Sequence, residues 1–286
     1  MNIESLAVIS HPTVNLQPLV KRLFLQAIAM LNITPIRAFD DNYIWLIKVP
    51  NQPQVIAVDP GDATVVKTYL NANQLGLAAI LITHHHDDHI GGVAELTIGR
   101  NIPVYGVESV TLPCVTHTLR NDDVFMIAGL NIRMISTPGH TVDHVIYLLD
   151  DQPRHLFSGD LLFSAGCGRA FEGTPAQIYQ ALTKIKHLPV DTLLYPAHEY
   201  TLENVGFAKV VEPENSALVD YEQNCIAALA QGLPTLPTSL DTERRINPFL
   251  RTEFQSVQTA AMKHANRPLV QEVDIFTQLR YWKDSF

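Results

Sequence analysis

An α/β domain followed by a helical region is the fold class this sequence predicts, and three observations carry it. From Ile33 onward, short β-branched and apolar runs alternate with turn signals, the pattern of strands in a layered α/β domain. Helix-start signals of the side-chain capping type stand between those runs. After about Tyr200 the apolar residues change to helical spacing.

Strands are expected over residues 42–49, 55–58, 79–82, 103–107, 132–135, 145–149 and 192–195, each a short run rich in Val, Ile, Leu or Tyr. Asp62 can cap a helix running to about residue 73. Thr174 and Gln177 form a capping-box pattern with Pro175 at the first helical position, which opens a helix ending near His187. In the last third, helices are expected over residues 202–211, 216–231 and 253–266, and Gly232 sits where a C-terminal cap belongs. The chain therefore divides into an extension over residues 1–29, an α/β domain over 30–200 and a helical subdomain over 201–286.

The extension faintly imitates a targeting segment, because Lys21 and Arg22 precede the apolar residues 23–30. That stretch is short, carries Gln26 and is followed by no small-residue cleavage site. It is read as dispensable, with Met30 opening the domain proper. Lys and Arg number 20 against 29 Asp and Glu, a net charge of −9, which disfavours nonspecific attraction to nucleic acid or an anionic membrane. The three cysteines, Cys114, Cys167 and Cys225, form no CxxC pair, and a reducing cytoplasm is the expected location. No apolar run approaches the roughly 18–20 residues that span a bilayer.

The strongest chemical signal is Thr83-His84-His85-His86-Asp87-Asp88-His89-Ile90-Gly91-Gly92, directly after the expected strand 79–82. His84, His86, Asp88 and His89 crowd imidazole nitrogens and a carboxylate, the donor set of Zn²⁺ and comparable ions, into one loop leaving a strand end. An affinity tag would not follow a buried strand or interleave two aspartates. Three further segments put a possible ligand just past a strand: His140 in Thr137-Pro138-Gly139-His140, Asp160 in Ser158-Gly159-Asp160, and His198 in Pro196-Ala197-His198-Glu199-Tyr200. Together these N and O donors are about what two openly coordinated ions require. His85, Asp87 and His144 read as supporting or solvent-facing residues, with Asp87 or Asp143 suited to orienting an imidazole.

This ordered set resembles the metallo-β-lactamase superfamily, whose HxHxDH motif is matched by His84, His86, Asp88 and His89, and whose later His, Asp and His are matched by His140, Asp160 and His198. The resemblance implies a four-layer αββα sandwich with a C-terminal helical subdomain. It also implies that His84, His86 and His140 hold one metal ion, that Asp88, His89 and His198 hold the other, and that Asp160 bridges both. Asp160, Asp88 and His89 are the expected catalytic residues. Two cations about 3.5–4 Å apart can hold a water between them and lower its pKa toward neutrality for attack on a carbonyl carbon.

The superfamily motif does not fix the reaction. The segment Ala165-Gly166-Cys167-Gly168-Arg169-Ala170-Phe171-Glu172-Gly173-Thr174 is similar to the signature of the glyoxalase II (hydroxyacylglutathione hydrolase) family. So are Phe39-Asp40-Asp41-Asn42-Tyr43, Asn247-Pro248-Phe249-Leu250-Arg251 and Leu279-Arg280-Tyr281-Trp282-Lys283-Asp284, a resemblance running from about Asn32 to the C-terminus. It implies hydrolysis of the thioester of S-D-lactoylglutathione, a step of methylglyoxal detoxification, by a monomer using two divalent ions, Zn²⁺ first with Fe or Mn as alternatives. Arg169, Phe171, Tyr200, Arg280 and Lys283 then line the glutathione site; Phe171 departs from relatives with tyrosine there, which removes a phenolic hydrogen bond. Without the resemblance, Arg280 and Lys283 read as a solvated helix end, and Cys167 as a small packing residue. The competing readings are a glutathione persulfide dioxygenase with a single iron and a non-catalytic metal-binding relative.

Overall fold

Two sheets stacked face to face organise the residues that the structure, a computed structural model, describes, which are 31–286. The extension 1–29 and Met30 lie outside the described residues. The first sheet contains β1 (Ile33–Ala38), β2 (Asn42–Lys48), β3 (Gln54–Val58), β4 (Gly76–Leu81), β5 (Val104–Val107) and β6 (His117–Leu119) in chain order. β1, β2 and β3 pair antiparallel, and β3 to β6 pair parallel. A parallel pair needs a crossover, and the helix Ala63–Ala72 supplies it between β3 and β4. Asp62 caps that helix by accepting from the amides of Thr64 and Val65.

The second sheet is built from β7 (Val124–Ile127), β8 (Leu130–Ser136), β9 (Val145–Leu149), β10 (His155–Gly159), β13 (Leu193–Pro196) and β14 (Thr238–Ser239), in the order β14-β13-β10-β9-β8-β7. A short hairpin of β11 (Leu162–Phe163) and β12 (Gly166–Cys167) stands beside it. β10 and β13 run parallel, joined across the helix Pro175–Lys186, which opens on the Thr174–Gln177 capping box. Ala128 and Gly129 take positive φ between β7 and β8, a turn whose twist suits a tight hairpin.

Strands buried on both faces read as nearly continuous apolar runs, and alternation then assigns each side chain to a layer. In β2, Ile44 and Leu46 join Val66, Leu70 and Leu96 on the helix side. Trp45, one step out of phase, donates from Nε1 to the carbonyl of Pro196 and meets the Tyr195 ring of the second sheet edge-on at 5.0 Å. In β9, Ile146 and Leu148 pack with Ile178, Leu182 and Leu279, whereas the Tyr147 hydroxyl donates across to the carbonyl of Ile82. The result is the αββα sandwich.

The C-terminal helices Thr201–Val211, Leu240–Ile246, Gln255–Ala265 and Glu272–Asp284 share the core of the second sheet, through residues such as Phe207, Val257, Phe276 and Leu279, while Leu218 of the helix Ser216–Ala230 packs in a smaller cluster with Val205, Ala208 and Ile246. Residues 33–286 form one compact unit. No helix among the described residues is long and apolar enough to cross a membrane.

Topology brings the chemistry to one edge. β3 and β4 run parallel and deliver Asp59 and the 83–89 loop from their C-terminal ends. β8, β10 and β13 likewise share a direction and deliver His140, Asp160 and His198. β2 and β9 run the opposite way, so their starts bring Asp41, Asn42 and His144 to the same edge. The sheets are tied together there by amide donation from Val145 to Thr83 and from Tyr43 to Ala197.

Candidate metal centre

The strand ends assemble two adjoining groups of donors. In one, ligand atoms of His84, His86, His140 and Asp160 lie within 4.8 Å of one another; in the other, those of Asp88, His89 and His198 do. Asp160 faces both. Its Oδ2 is 3.3 Å from His140 Nε2, and its Oδ1 is 3.3 Å from His198 Nε2 and 3.5 Å from His89 Nε2.

The far nitrogen of each ring fixes which atom faces inward, because a carbonyl or carboxylate can only accept. His140 Nδ1 donates to the carbonyl of Arg169 at 2.8 Å. His89 Nδ1 donates to Asp59 at 3.0 Å, and His198 Nδ1 to Asp41 at 2.7 Å. Thr83 gives its hydroxyl proton to Asp59, which leaves its oxygen to accept from His84 Nδ1 at 3.0 Å. The Nε2 atoms of these four rings are therefore lone pairs directed at one another and at carboxylate oxygens. His84 Nε2 and His140 Nε2 stand 3.0 and 3.2 Å from His86 Nδ1. A neutral His86 can offer one proton from Nδ1 to one of these two atoms, and the remaining Nε2 lone pairs and carboxylate oxygens repel unless a further proton or a cation lies among them.

Protons fill that role poorly. Burial drives His84 well below the ordinary histidine range and lowers His86 and His140, neighbouring rings adding to the effect. Burial opposes charging His89 and His198 as well, but Asp160 outweighs it and raises both, with help from Asp59 at His89 and Asp41 at His198. Burial alone would raise Asp160, yet His89 and His198 hold it well below the carboxylate range. Among the described residues, three buried side-chain atoms have no hydrogen-bond partner: Thr192 Oγ1, which belongs to neither donor group, and His89 Nε2 and Asp160 Oδ1 within them. Buried polar atoms without partners are rare and costly, and here the last two point at the shared centre. The donor set and these orphaned atoms fit divalent cations.

Two carboxylates that the sequence reading did not single out orient candidate ligands, namely Asp59 and Asp41. Asp143 instead accepts from Thr141 and Thr111 and contacts His85, which is no member of either group, and Asp87 is exposed. Asp59 also accepts from the amide and hydroxyl of Thr83, and it adopts φ +50°, which Asp tolerates better than most residues. Its position one residue past β3 was the available signal, since His140, Asp160 and His198 also follow strand ends. Buried His144 accepts from the Asp160 amide through Nε2 at 3.1 Å and faces the Thr137 hydroxyl with Nδ1. It braces the centre without joining it.

A cleft of about 340 Å³ opens beside the donors and includes Arg169, Phe171, Tyr200, Arg280 and Lys283 in its lining. The Phe171 ring meets His140 at 5.2 Å and His86 at 5.8 Å, and Tyr200 lies flat on His198 at 4.7 Å. Arg280 and Lys283 are buried and are not a solvated helix end. They also have partners within the chain, Asp284 for Arg280 at 3.0 Å and Glu203 for Lys283 at 2.6 Å. Arg169 is exposed and only loosely paired with Asp284, at 3.5 Å. Cys167 is buried in the main core, with its thiol pushed up to about 11 by burial.

Comparison with known proteins matches two adjoining parts of the chain. Residues 39–198 match the metallo-beta-lactamase superfamily, and residues 199–286 match the hydroxyacylglutathione hydrolase C-terminus. The chain is 46% identical over 266 residues to a hydroxyacylglutathione hydrolase of Shewanella baltica, covering 90% of this chain and 100% of that protein. It is 44% identical over 259 residues to one of Nitrosomonas europaea, covering 90% and 97%. Among solved structures, that of ETHE1 from Myxococcus xanthus superposes with a TM-score of 0.58 at 25% identity, covering 89% of this chain and 99% of that one. The BLEG-1 B3 metallo-beta-lactamase gives 0.57 at 24% identity, covering 77% and 99%, a likeness of fold.

Proposed function

The chain belongs to the hydroxyacylglutathione hydrolase family of the metallo-β-lactamase superfamily, and from that premise we propose that it hydrolyses S-D-lactoylglutathione to glutathione and D-lactate. The observation that carries this reading is the pair of donor groups meeting at Asp160, with orphaned buried atoms aimed between them, at the wall of a cleft containing cationic residues. His84, His86, His140 and Asp160 would hold one divalent ion, and Asp88, His89, His198 and Asp160 a second. Zn²⁺ suits the donors best, and Fe or Mn can also accept them. Such ions supply Lewis acidity, which lowers the pKa of water and polarises a carbonyl.

The chain's own residues do the rest. Asp59, Asp41, Thr83 and the Arg169 carbonyl hold the imidazoles in the tautomer that turns Nε2 inward. Phe171 and Tyr200 pack on the rings of His140 and His198 and line that side of the cleft. Arg169, Arg280 and Lys283 give the cleft positive charge for a tripeptide with two carboxylates. As the oxygen of water bonds to the thioester carbon, the C–S bond breaks and sulfur leaves as a thiolate stable enough to need no dedicated acid. We further assign residues 30–200 to catalysis, 201–286 to substrate binding and 1–29 to neither, with the protein acting as a cytoplasmic monomer in methylglyoxal detoxification.

The test is release of free thiol from S-D-lactoylglutathione by protein of measured metal content, with and without a chelator. Turnover that disappears on chelation and returns with a divalent ion is expected. Absence of thiol release, with oxygen uptake on glutathione persulfide instead, would overturn the hydrolase reading.

A further inference from the structure

Arg280 comes from the last helix, far along the chain from the strand-end loops, yet its guanidinium is buried against one of them. Nη1 donates to the carbonyl of Cys167 at 2.6 Å and lies 3.4 Å from that of Gly168, while Nε and Nη2 engage Asp284. The planar fork also stands over the Phe249 ring at 5.2 Å. The loop it grips wraps the candidate ligands closely. A Cβ on Gly168 would fall 1.8 Å from the Asp160 carbonyl oxygen, and the Gly168 amide donates to Leu161. The next carbonyl, that of Arg169, is the acceptor that fixes His140 Nδ1. The Phe171 and Glu172 amides then donate back to the His140 carbonyl.

We propose that Arg280 is a positioning residue for His140, acting through the 167–169 loop, in addition to its place in the cleft wall. This rests on the reading of the donor groups as cation ligands. Lys283, one turn further on, is the internal control: it pairs with Glu203 and is within hydrogen-bond distance of no carbonyl of that loop. Arg has a planar set of donors that can hold a carbonyl and a carboxylate together, which a Lys ammonium cannot reproduce from the same position.

The experiment is titration of the chelated full-length protein with Co²⁺, followed by its visible absorption, so that neither substrate nor turnover enters. Arg280→Met should weaken one of the two binding steps by about 10-fold, the lower end of what loss of a ligand-orienting contact costs, and should alter the spectrum of that ion. Arg280→Lys should recover only part of the loss, and Lys283→Met should titrate as the parent does. The pair Arg280→Met/Asp284→Asn removes both charges and covers the case in which the single variant folds poorly. If folded Arg280→Met and the pair both bind two ions with parental affinity and spectrum, the positioning role is overturned. Normal cobalt behaviour of all variants in a protein lacking thioesterase activity would count against the hydrolase reading as well, whereas the expected cobalt shift without such activity would refute only that reading.

Discussion

The two donor groups use the same residue types but are backed differently. His84 and His140 lean on a threonine hydroxyl and a main-chain carbonyl, both neutral, whereas His89 and His198 lean on the carboxylates of Asp59 and Asp41. A carboxylate behind an imidazole raises its basicity and stabilises it beside positive charge more than a neutral acceptor does. Burial wins in the first group, whose rings are pushed toward neutrality, whereas in the second Asp160, with help from Asp59 and Asp41, outweighs it. Proton uptake is thus favoured at His89 and His198 and opposed at His84 and His140, although Asp160 faces both groups.

The largest expected effect erases the comparison. Asp160→Ala removes the one candidate ligand that faces both groups, and hydrolysis should fall by roughly 10³-fold or more, since several kcal/mol of charge stabilisation is at stake. Elemental analysis should show both ions depleted; a variant with two ions and parental rate would remove Asp160 from the shared role. A smaller change separates the groups. Asp59→Ala should weaken binding at the His89 group by about 10- to 100-fold. Thr83→Val, which deletes the hydroxyl between His84 and Asp59 but leaves Asp59 and its bond from the Thr83 amide in place, should cost only about 2- to 10-fold. Equal losses from the two substitutions, measured by metal titration, would break the distinction.

The smallest effect is on the stability of chelated protein against pH. Burial holds His84, His86, His140, His144 and His155 below the ordinary range, His144 at about 3. Such rings take up protons only on unfolding, so the stability they contribute is present above about pH 6.5 and is lost as pH falls. His89 and His198 act in the opposite sense, with a contribution present below about 6.5 and lost as pH rises through their folded values. Five rings outnumber two, and Tm should decline on acidification from pH 7 toward 5. A rising Tm would put the carboxylate-backed group in control.

The elements legible in the sequence were those with local signatures. The cap at Asp62, the capping box at Thr174 and the apolar runs of β2, β3 and β9 appear near their expected limits. β10 escaped because His155, Ser158 and Gly159 are buried by the fold around them, not by any apolar pattern of their own. The helix Glu272–Asp284 was not delimited for a related reason. Its inner face carries Ile275, Phe276 and Leu279, but the next inward positions are Arg280 and Lys283, and two cations interrupt the apolar stripe. All seven candidate ligands were visible as donors past strand ends, and they converge at one edge. Asp59 and Asp41 were not singled out, because an acid beside Pro60 and Gly61, or within Asp40-Asp41-Asn42, reads as ordinary turn chemistry until a histidine distant in sequence is seen beside it.

β14 gives this architecture an order in time. Thr238 and Ser239 come from the helical part of the chain but close the open side of β13, the strand that leads into His198. On the ribosome, β13 is complete some forty residues before its neighbour is made, roughly 2–8 s at ordinary elongation rates. Throughout that interval a strand rich in apolar residues presents unpaired amides and carbonyls to the cell. A chain ending before residue 238 would keep every candidate ligand and still expose that edge, so its fate should be association with other chains rather than a smaller working enzyme.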